Sequence, residues 1–475
     1  MTTAAKALSP AEKKQLLKNP HGWVREHHIL VGKRTLSELL ERRQMLSDSS
    51  EALITESRDL SRQIGAAKKS GASPENLLQL KRKVSASEKQ VMVELKQLET
   101  QLMELLAPAT PESGDPSAKL ESAESVAPRV DIDSLQITFL SPSGEAAWDE
   151  FVAQHPDASV YHLSGLRKVI AGSFSHETLY LNAVSGQRIV GVLPLVRLKS
   201  RLFGDFMVSQ PYFNYGGVLA VNAQVAERLL AVAQQKASEY GCSHIEYRDV
   251  AQLDGLPVRT DKVAMWLDLP ADKEQLWQQV GTKVRAQIKR SRRFGLTVQS
   301  GGAELLDDFY QVFAENMRDL GTPVYGKDFF ANLLASGIGK QQLVIVRHQG
   351  KPVSAAYLVA YRQRMEVPWA STLRSANRFD ANMFLYWELL SQACSQGCTI
   401  FDFGRSTVNA ATYKFKKQWG AKPVQLYWHY WLRDGGEPPK INPDNPKYRL
   451  VISVWQKLPV WLTRLIGPGI VKYLP

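Results

Sequence analysis

The sequence predicts an α/β fold with a duplicated unit, carried behind an antiparallel helical hairpin. Three observations predict it. Leucines recur at intervals of seven in two series before residue 106, and a Pro-, Ser- and Glu-rich stretch without apolar periodicity follows at 107–130. Beyond it, a helix, a Gly-Cys pair and an alternating strand occur twice, at Gly241 and at Gly397. A chain of 475 residues also exceeds what one hydrophobic core usually organises.

Leu39, Leu46, Leu53 and Leu60 mark the first heptad seam, and Leu77, Val84, Val91, Leu98 and Leu105 the second. Lys68 to Pro74, with Gly71, supplies the turn, so residues 1–106 are expected to form an antiparallel coiled-coil arm. Residues 107–130, with four prolines, are expected to be a flexible linker. A first unit is expected over 131–270, where strands at 178–184 and 189–196 form a hairpin. A second is expected over 271–435, with the corresponding hairpin at 342–347 and 353–360. The remainder, 436–475, is apolar with spaced cations and reads as an amphipathic tail, either lying in a membrane interface or packing back on the second unit.

A net charge of +12 predicts attraction to an anionic partner: nucleic acid, a phosphorylated sugar carrier or the inner leaflet of a membrane. Three cysteines, Cys242, Cys394 and Cys398, argue for a reducing compartment and against a disulfide or zinc framework. The N-terminus lacks the pattern of a signal peptide and no stretch is apolar enough to span a bilayer, so a cytoplasmic protein, with peripheral contact to the inner face of the plasma membrane, is expected. Hydrolase elbows, zinc motifs and Walker loops are absent from the sequence, and no metal site is expected.

Four segments concentrate chemistry. Residues 273–295 pair an apolar helix face with six cations within 283–293, among them Lys283, Arg285 and Arg290, which form either an anion-binding surface or a solvated basic face. Gln210 to Gly217 sets Tyr212, Asn214 and Tyr215 before a Gly pair, either for close ligand approach or as a turn over buried rings. Asp402 and Arg405 lie at a strand end, where open α/β sheets hold ligands; the alternative is that they pair with each other. Lys416, beside Tyr413 and Phe415, is suited to a developing oxyanion or else lies on an exposed helix. Trp369 is a further substrate-binding candidate. Neither repeat offers the pyrophosphate loop of an acyl-CoA-binding N-acyltransferase.

The motifs Gln210-Pro-Tyr-Phe-Asn-Tyr-Gly-Gly, Met317-Arg-Asp-Leu-Gly-Thr-Pro-Val-Tyr, Phe401-Asp-Phe-Gly-Arg-Ser and Tyr413-Lys-Phe-Lys-Lys-Gln-Trp-Gly, spread over residues 131–475, resemble the FemAB-like proteins of exosortase and PEP-CTERM exopolysaccharide systems. The resemblance implies tandem duplicated GNAT-like units and Fem-type aminoacyl transfer, with Phe415 and Lys416 at the acyl-transfer site. Leu16-Leu-Lys-Asn-Pro, Leu36 to Leu46 and Glu56 to Gly71 resemble the tRNA-reading arm of seryl-tRNA synthetase. By that resemblance Arg58, Arg62, Lys68 and Lys69 are the tRNA-binding residues; a dimerising or partner-binding coiled coil is the other reading.

The function expected is transfer of an aminoacyl group from aminoacyl-tRNA, seryl-tRNA favoured, to an amine of an anionic or lipid-linked cell-envelope, peptidoglycan or exopolysaccharide precursor, without a cofactor. Two alternatives stand beside it. One is an acyl-CoA-dependent N-acyltransferase, and the other a non-catalytic tRNA-binding protein.

Overall fold

The computed structural model describes residues 33–70, 73–105, 130–253, 255–439 and 446–474. They fall into two compact units divided at Ala123–Glu124. All but the last residue of the expected linker, and the arm before Lys33, lie outside the described residues.

The smaller unit is two helices, α1 (Lys33–Lys69) and α2 (Glu75–Leu105). They run antiparallel: Arg43 Nε donates to Glu99 at 3.0 Å, Ser50 to Met92 Sδ at 3.4 Å and Lys81 Nζ to Ser61 at 2.7 Å. Leu60, Ile64, Val84 and Leu98 are buried between them, while Leu80 is exposed. Apolar residues seven apart drift slowly around a helix, so one stripe can face a partner over this length.

In the larger unit the order is β1 (Gln136–Phe139), α3 (Glu145–Gln154), α4 (Gly165–Phe174), β2 (Glu177–Ser185), β3 (Arg188–Ser200), β4 (Gly204–Ser209), β5 (Leu219–Ala220), α5 (Ala223–Glu239), β6 (His244–Asp249) and β7 (Val258–Arg259). It continues with β8 (Lys262–Asp268), α6 (Lys273–Gln279), α7 (Thr282–Ser291), β9 (Leu296–Gly301), α8 (Leu306–Leu320), α9 (Lys327–Ala335), β10 (Lys340–His348), β11 (Lys351–Tyr361), β12 (Arg364–Thr372), α10 (Ala381–Ser395), β13 (Ile400–Thr407), α11 (Ala411–Gln418), β14 (Lys422–Gln425), β15 (Tyr427–Leu432), α12 (Pro446–Trp455) and α13 (Val460–Val471).

The duplication is visible in the order itself. A strand, two helices, a three-strand meander, a helix and a strand run from β1 to β6 and again from β9 to β13. Both crossover helices end at a left-handed glycine, Gly241 (φ +73°) and Gly397 (φ +73°), with a buried cysteine next. A residue with a Cβ would be strained at either position. This is a tandem duplicated α/β fold.

The sheets run β1-β2-β3-β4-β6-β15-β7 and β9-β10-β11-β12-β13-β8-β14. Each therefore takes one strand from the other repeat: β15 pairs with β6, and β8 pairs with β13. The exchange crosses residue 270: β8 precedes it yet belongs to the second sheet, and β15 follows it yet completes the first. Propensity and periodicity report that a segment is a strand and carry no label for its sheet.

In each sheet one adjacent pair is parallel and short. β4 and β6 match only at Met207–Ile245 and Val208–Glu246; β12 and β13 match at Arg364–Ile400, Met365–Phe401 and Glu366–Asp402, after which the strands part. The gap places backbone and side chains of the parting strands where a ligand or another loop can enter.

Candidate functional site

The opening between β12 and β13 holds a buried polar cluster. Glu366 and Asp402 are register partners on neighbouring parallel strands, about 4.8 Å apart in backbone and facing the same side. Both carboxyls are buried. Asp402 accepts from Tyr215 Oη at 2.6 Å, Trp266 Nε1 at 2.9 Å and the Gly404 amide at 2.8 Å, whereas Asn214 Nδ2 donates to Glu366 at 3.0 Å. Burial and then the Asp402 charge push Glu366 up to about 8. Burial also raises Asp402, against the Arg364 charge and the hydrogen bonds from Tyr215 and Gly404. Two like carboxyls in one dry site share a proton, and the three donors assign the negative charge to Asp402 and the proton to Glu366 near neutral pH.

Lys416, on α11, is buried beside them. Its Nζ donates to the carbonyls of Gly404 at 3.0 Å and Arg405 at 2.8 Å, leaving one of three N–H groups for another acceptor. Burial lowers it to about 8, partly offset by Asp402. A proton-holding carboxyl and an ammonium that both titrate near 8 are matched to proton exchange at physiological pH.

The segment Gln210–Gly217 reaches from the first repeat into this opening. Gln210 (φ +56°) and Tyr212 (φ +75°) hold left-handed backbone, and Gln210 Nε2 is anchored by the Tyr161 carbonyl and Tyr180 hydroxyl, both at 2.6 Å. Strained backbone of this kind persists where its surroundings over-determine it. Gly217 is required by packing, since a Cβ there would fall 1.6 Å from Asp249 Oδ1.

Next to the cluster is a cavity of about 260 Å³, lined by Tyr215, Gly217, Arg248, Asp249, Trp266 and Arg364 among others. The Arg364 guanidinium stacks 5.1 Å from the Tyr215 ring and 4.9 Å from the Trp266 ring, and has no hydrogen-bond or ion-pair partner among the described residues. Arg248 is by contrast committed, to Glu246 at 2.8 Å and the Phe213 carbonyl at 2.6 Å.

Of the residues expected at the site, Asn214, Tyr215, Asp402 and Lys416 converge. Asp402 and Arg405 do not pair: the Arg405 side chain stacks on Trp428 at 4.7 Å, and only its carbonyl joins the cluster through Lys416. Tyr212 turns away, donating to the Lys472 carbonyl at 2.6 Å and packing on Phe174. Trp369 fills an aromatic core with Phe213, Phe329 and Phe330, and Phe415 packs on Tyr386, with Tyr413 part-buried in the same core. The α7 cations are largely engaged locally: Arg285 donates to the carbonyls of Trp277 and Gln278, and Arg290 to Asp380 at 2.6 Å. Lys283 is exposed, and no contact joins these three to the carboxylate pair. Arg58 and Arg62 are exposed on α1, Arg62 beside Asp59 at 3.1 Å, while the side chains of Lys68 and Lys69 lie outside the described residues.

Glu366, Arg364 and Trp266 are the residues sequence reasoning missed. Arg364 and Glu366 alternate in the strand Arg-Met-Glu-Val-Pro-Trp, and charges on one face of an otherwise apolar strand were the available signal. No cluster able to hold a metal ion occurs among the described residues.

A model of the acetyltransferase (GNAT) domain family matches residues 279–417, which contain Glu366, Asp402 and Lys416. No curated protein sequence matches the chain. Among solved structures, FemX is similar at 13% identity and TM-score 0.49, over 67% of this chain and 100% of that one. L-PGS from Bacillus licheniformis is similar at 15% identity and TM-score 0.42, over 69% and 98%. A tandem GNAT protein from the clavulanic acid biosynthesis pathway gives 13% identity and TM-score 0.41, over 64% and 100%. The chain carries a GNAT-type domain and is an acyltransferase.

Proposed function

We propose that the chain is a Fem-type aminoacyltransferase, moving an aminoacyl group from aminoacyl-tRNA, with seryl-tRNA the favoured donor, to an amine of an anionic cell-envelope or exopolysaccharide precursor. The observation that carries the transfer chemistry is the meeting of Glu366, Asp402 and Lys416 in the opening between β12 and β13. In this reading Glu366, once ionised, takes a proton from the acceptor ammonium. The free amine attacks the ester carbonyl, forming the C–N bond, and the remaining Lys416 N–H steadies the oxyanion. The C–O bond then breaks and the departing ribose oxygen takes the second proton that the attacking nitrogen gives up, so an amide and an alcohol result. Asp402, held by Tyr215 and Trp266, keeps Glu366 basic and stays ionised itself. Arg364, unpaired at the cavity wall, suits an anionic group on the acceptor.

A second reading, an acyl-CoA donor, draws on the acetyltransferase description of the matching family. Against it stands the start of α10, where a diphosphate would be welcomed by the free amides. Asp380 precedes that helix and sets a carboxylate, held by Arg290, beside it without bonding its amides. The first repeat offers no better place, since Asn222 caps α5 through the Val225 amide.

The test is to incubate the full-length protein with charged tRNA or acyl-CoA in the presence of amino-sugar and peptide amines, following amide product. A Lys416→Ala protein that keeps its melting curve and loses product supports the assignment; unchanged turnover removes it. Arg58→Glu with Arg62→Glu tests the donor separately. Weakened tRNA binding with intact acyl-CoA turnover would make the second reading the correct one.

A further inference from the structure

The last two helices bury Trp455 and Val471 but keep most of their bulky apolar side chains outward. In α13 Thr463, Gly467 and Val471 are buried, with Val460 half-buried on the core, and a Cβ at Gly467 would come within 2.9 Å of the Val324 amide. The bulky residues face away, with Trp461 66% exposed and Leu465 71% exposed, and Ile466 beside them. On α12, Val451 and Val454 are likewise exposed. A helix that only closed a soluble core would bury these residues and expose its threonine.

Other elements extend the surface. The β3–β4 turn carries Leu202, 81% exposed, and Phe203, whose ring lies 6.5 Å from that of Tyr473 just beyond α13. α12 is moored to the end of α8, where Ile452 touches Gly321 and the exposed Leu320 adjoins. Cations dominate the charge around these residues, with Asp205 3.9 Å from Lys199 and Asp307 near Arg464 as carboxylates among them. Residues 446–474 contain five cations (Lys447, Arg449, Lys457, Arg464 and Lys472) and no carboxylate side chain, and the turn adds Lys199 and Arg201.

We infer that α12, α13 and the Lys199–Phe203 turn form a face that lies on the surface of an anionic lipid bilayer. Trp461, Leu465 and Leu202 enter the headgroup–acyl boundary, and the surrounding cations meet lipid phosphates. The contact is interfacial, since no helix among the described residues is long and apolar enough to cross a membrane. A lipid surface is favoured over a protein partner by charge complementarity together with a tryptophan at the start of the outward-facing helix. The inference stands independently of the acyl-transfer reading; it brings the chain to membranes whatever its donor.

The experiment is co-sedimentation of the full-length protein with vesicles of phosphatidylcholine alone, or with roughly one third phosphatidylglycerol. Wild type should partition to the anionic vesicles, less at high salt, and poorly to the neutral ones. Trp461→Ser with Leu465→Ser should weaken partitioning at least about tenfold with an unchanged melting curve, and Leu202→Ser should weaken it less. Equal binding by wild type and these variants would mean that net charge alone draws the protein down, and would overturn the proposal. So would absence of vesicle binding, or a concentration-dependent dimer that the double variant abolishes, which would make a second copy the occupant.

Discussion

Replacing Glu366 by Gln keeps the shape and the hydrogen bond from Asn214 but removes the ionisable group, and it should make the protein far less active and more stable at alkaline pH. Glu366 is raised from 4.5 to about 8, first by burial and then by the Asp402 charge. A carboxyl raised on folding contributes stability that is complete below its unfolded value and is lost as pH climbs through the folded one. Wild-type stability should therefore decline between about pH 4.5 and 8. At about 1.36 kcal/mol per pH unit the full gap sets an upper bound on the order of 5 kcal/mol. Because the proton is shared with Asp402, about 2–3 kcal/mol of it is expected to appear at this position. Chemical denaturation of both proteins from pH 5 to 8.5 measures this directly: the two curves should diverge as pH rises, the Gln variant the more stable. In the transfer assay the variant should lose about 10²- to 10⁴-fold in kcat/KM together with the acid limb of the pH profile. The alkaline limb, set by Lys416 releasing its proton at about 8, belongs to residual activity and should remain. A variant less stable than wild type at pH 8, or one with wild-type turnover, would refute the proton placement.

The other predictions test neighbouring parts. Tyr215→Phe leaves Asp402 with two donors and should cost about 1.5–3 kcal/mol of stability at neutral pH, read by denaturant titration, with a smaller loss at pH 4 where the carboxyl is closer to neutral. Gly217→Ala drives a methyl into an Asp249 carboxylate already fixed by the Val218 amide and His429, so about 2–3 kcal/mol should be lost and the cavity distorted. Residues 130–270 and 271–439 expressed separately should each fail to give a sharp thermal transition, since the first lacks β15 and the second lacks β8, each an inner strand of its sheet; a cooperative melt of either piece would contradict the strand exchange.

Local patterns carried much of the architecture. The hairpins at 178–196 and 342–360, the two Gly-Cys helix ends and the repeat they define follow from turn chemistry and alternation within a few residues. Asp402 and Lys416 were legible because a strand end and a dense polar motif mark them. Glu366 was not, because its chemistry depends on Asp402 standing opposite it 36 positions later in sequence, across a parallel register that no local pattern encodes. The misreading of Tyr212 has a similar cause. Beside Asn214 and Tyr215 it looks equivalent to them, but its left-handed backbone sends the side chain to the Lys472 carbonyl instead. The six cations of 283–293 read as one surface by charge density, whereas Asp380 and two carbonyls on its own N-terminal side occupy two of them.

The two repeats place a carboxylate at the same point, five residues after the helix-ending glycine: Glu246 in the first and Asp402 in the second. Each takes a tyrosine hydroxyl, Glu246 from Tyr430 at 2.5 Å and Asp402 from Tyr215 at 2.6 Å. Their neighbours set them apart. Burial pushes Glu246 up, but Arg248 on the same strand and Tyr430 hold it below its usual value, so it is a closed ion pair that the fold consumes. Across from Asp402 stands a second carboxyl instead of a cation, and the nearest guanidinium, Arg364, lies against rings facing a cavity. A buried carboxyl pair with no direct ion-pair partner among the described residues is costly to keep in a core and serves no structural end. Chemistry is therefore assigned to the second repeat, and the first supplies through Asn214 and Tyr215 the donors that decide which carboxyl holds the proton. Exchanging the arrangement should expose that division: Arg248→Met should destabilise the fold by about 3 kcal/mol or more by stranding Glu246, and leave the pH optimum of the remaining folded enzyme in place. A shifted optimum with unchanged stability would put the first repeat in the reaction.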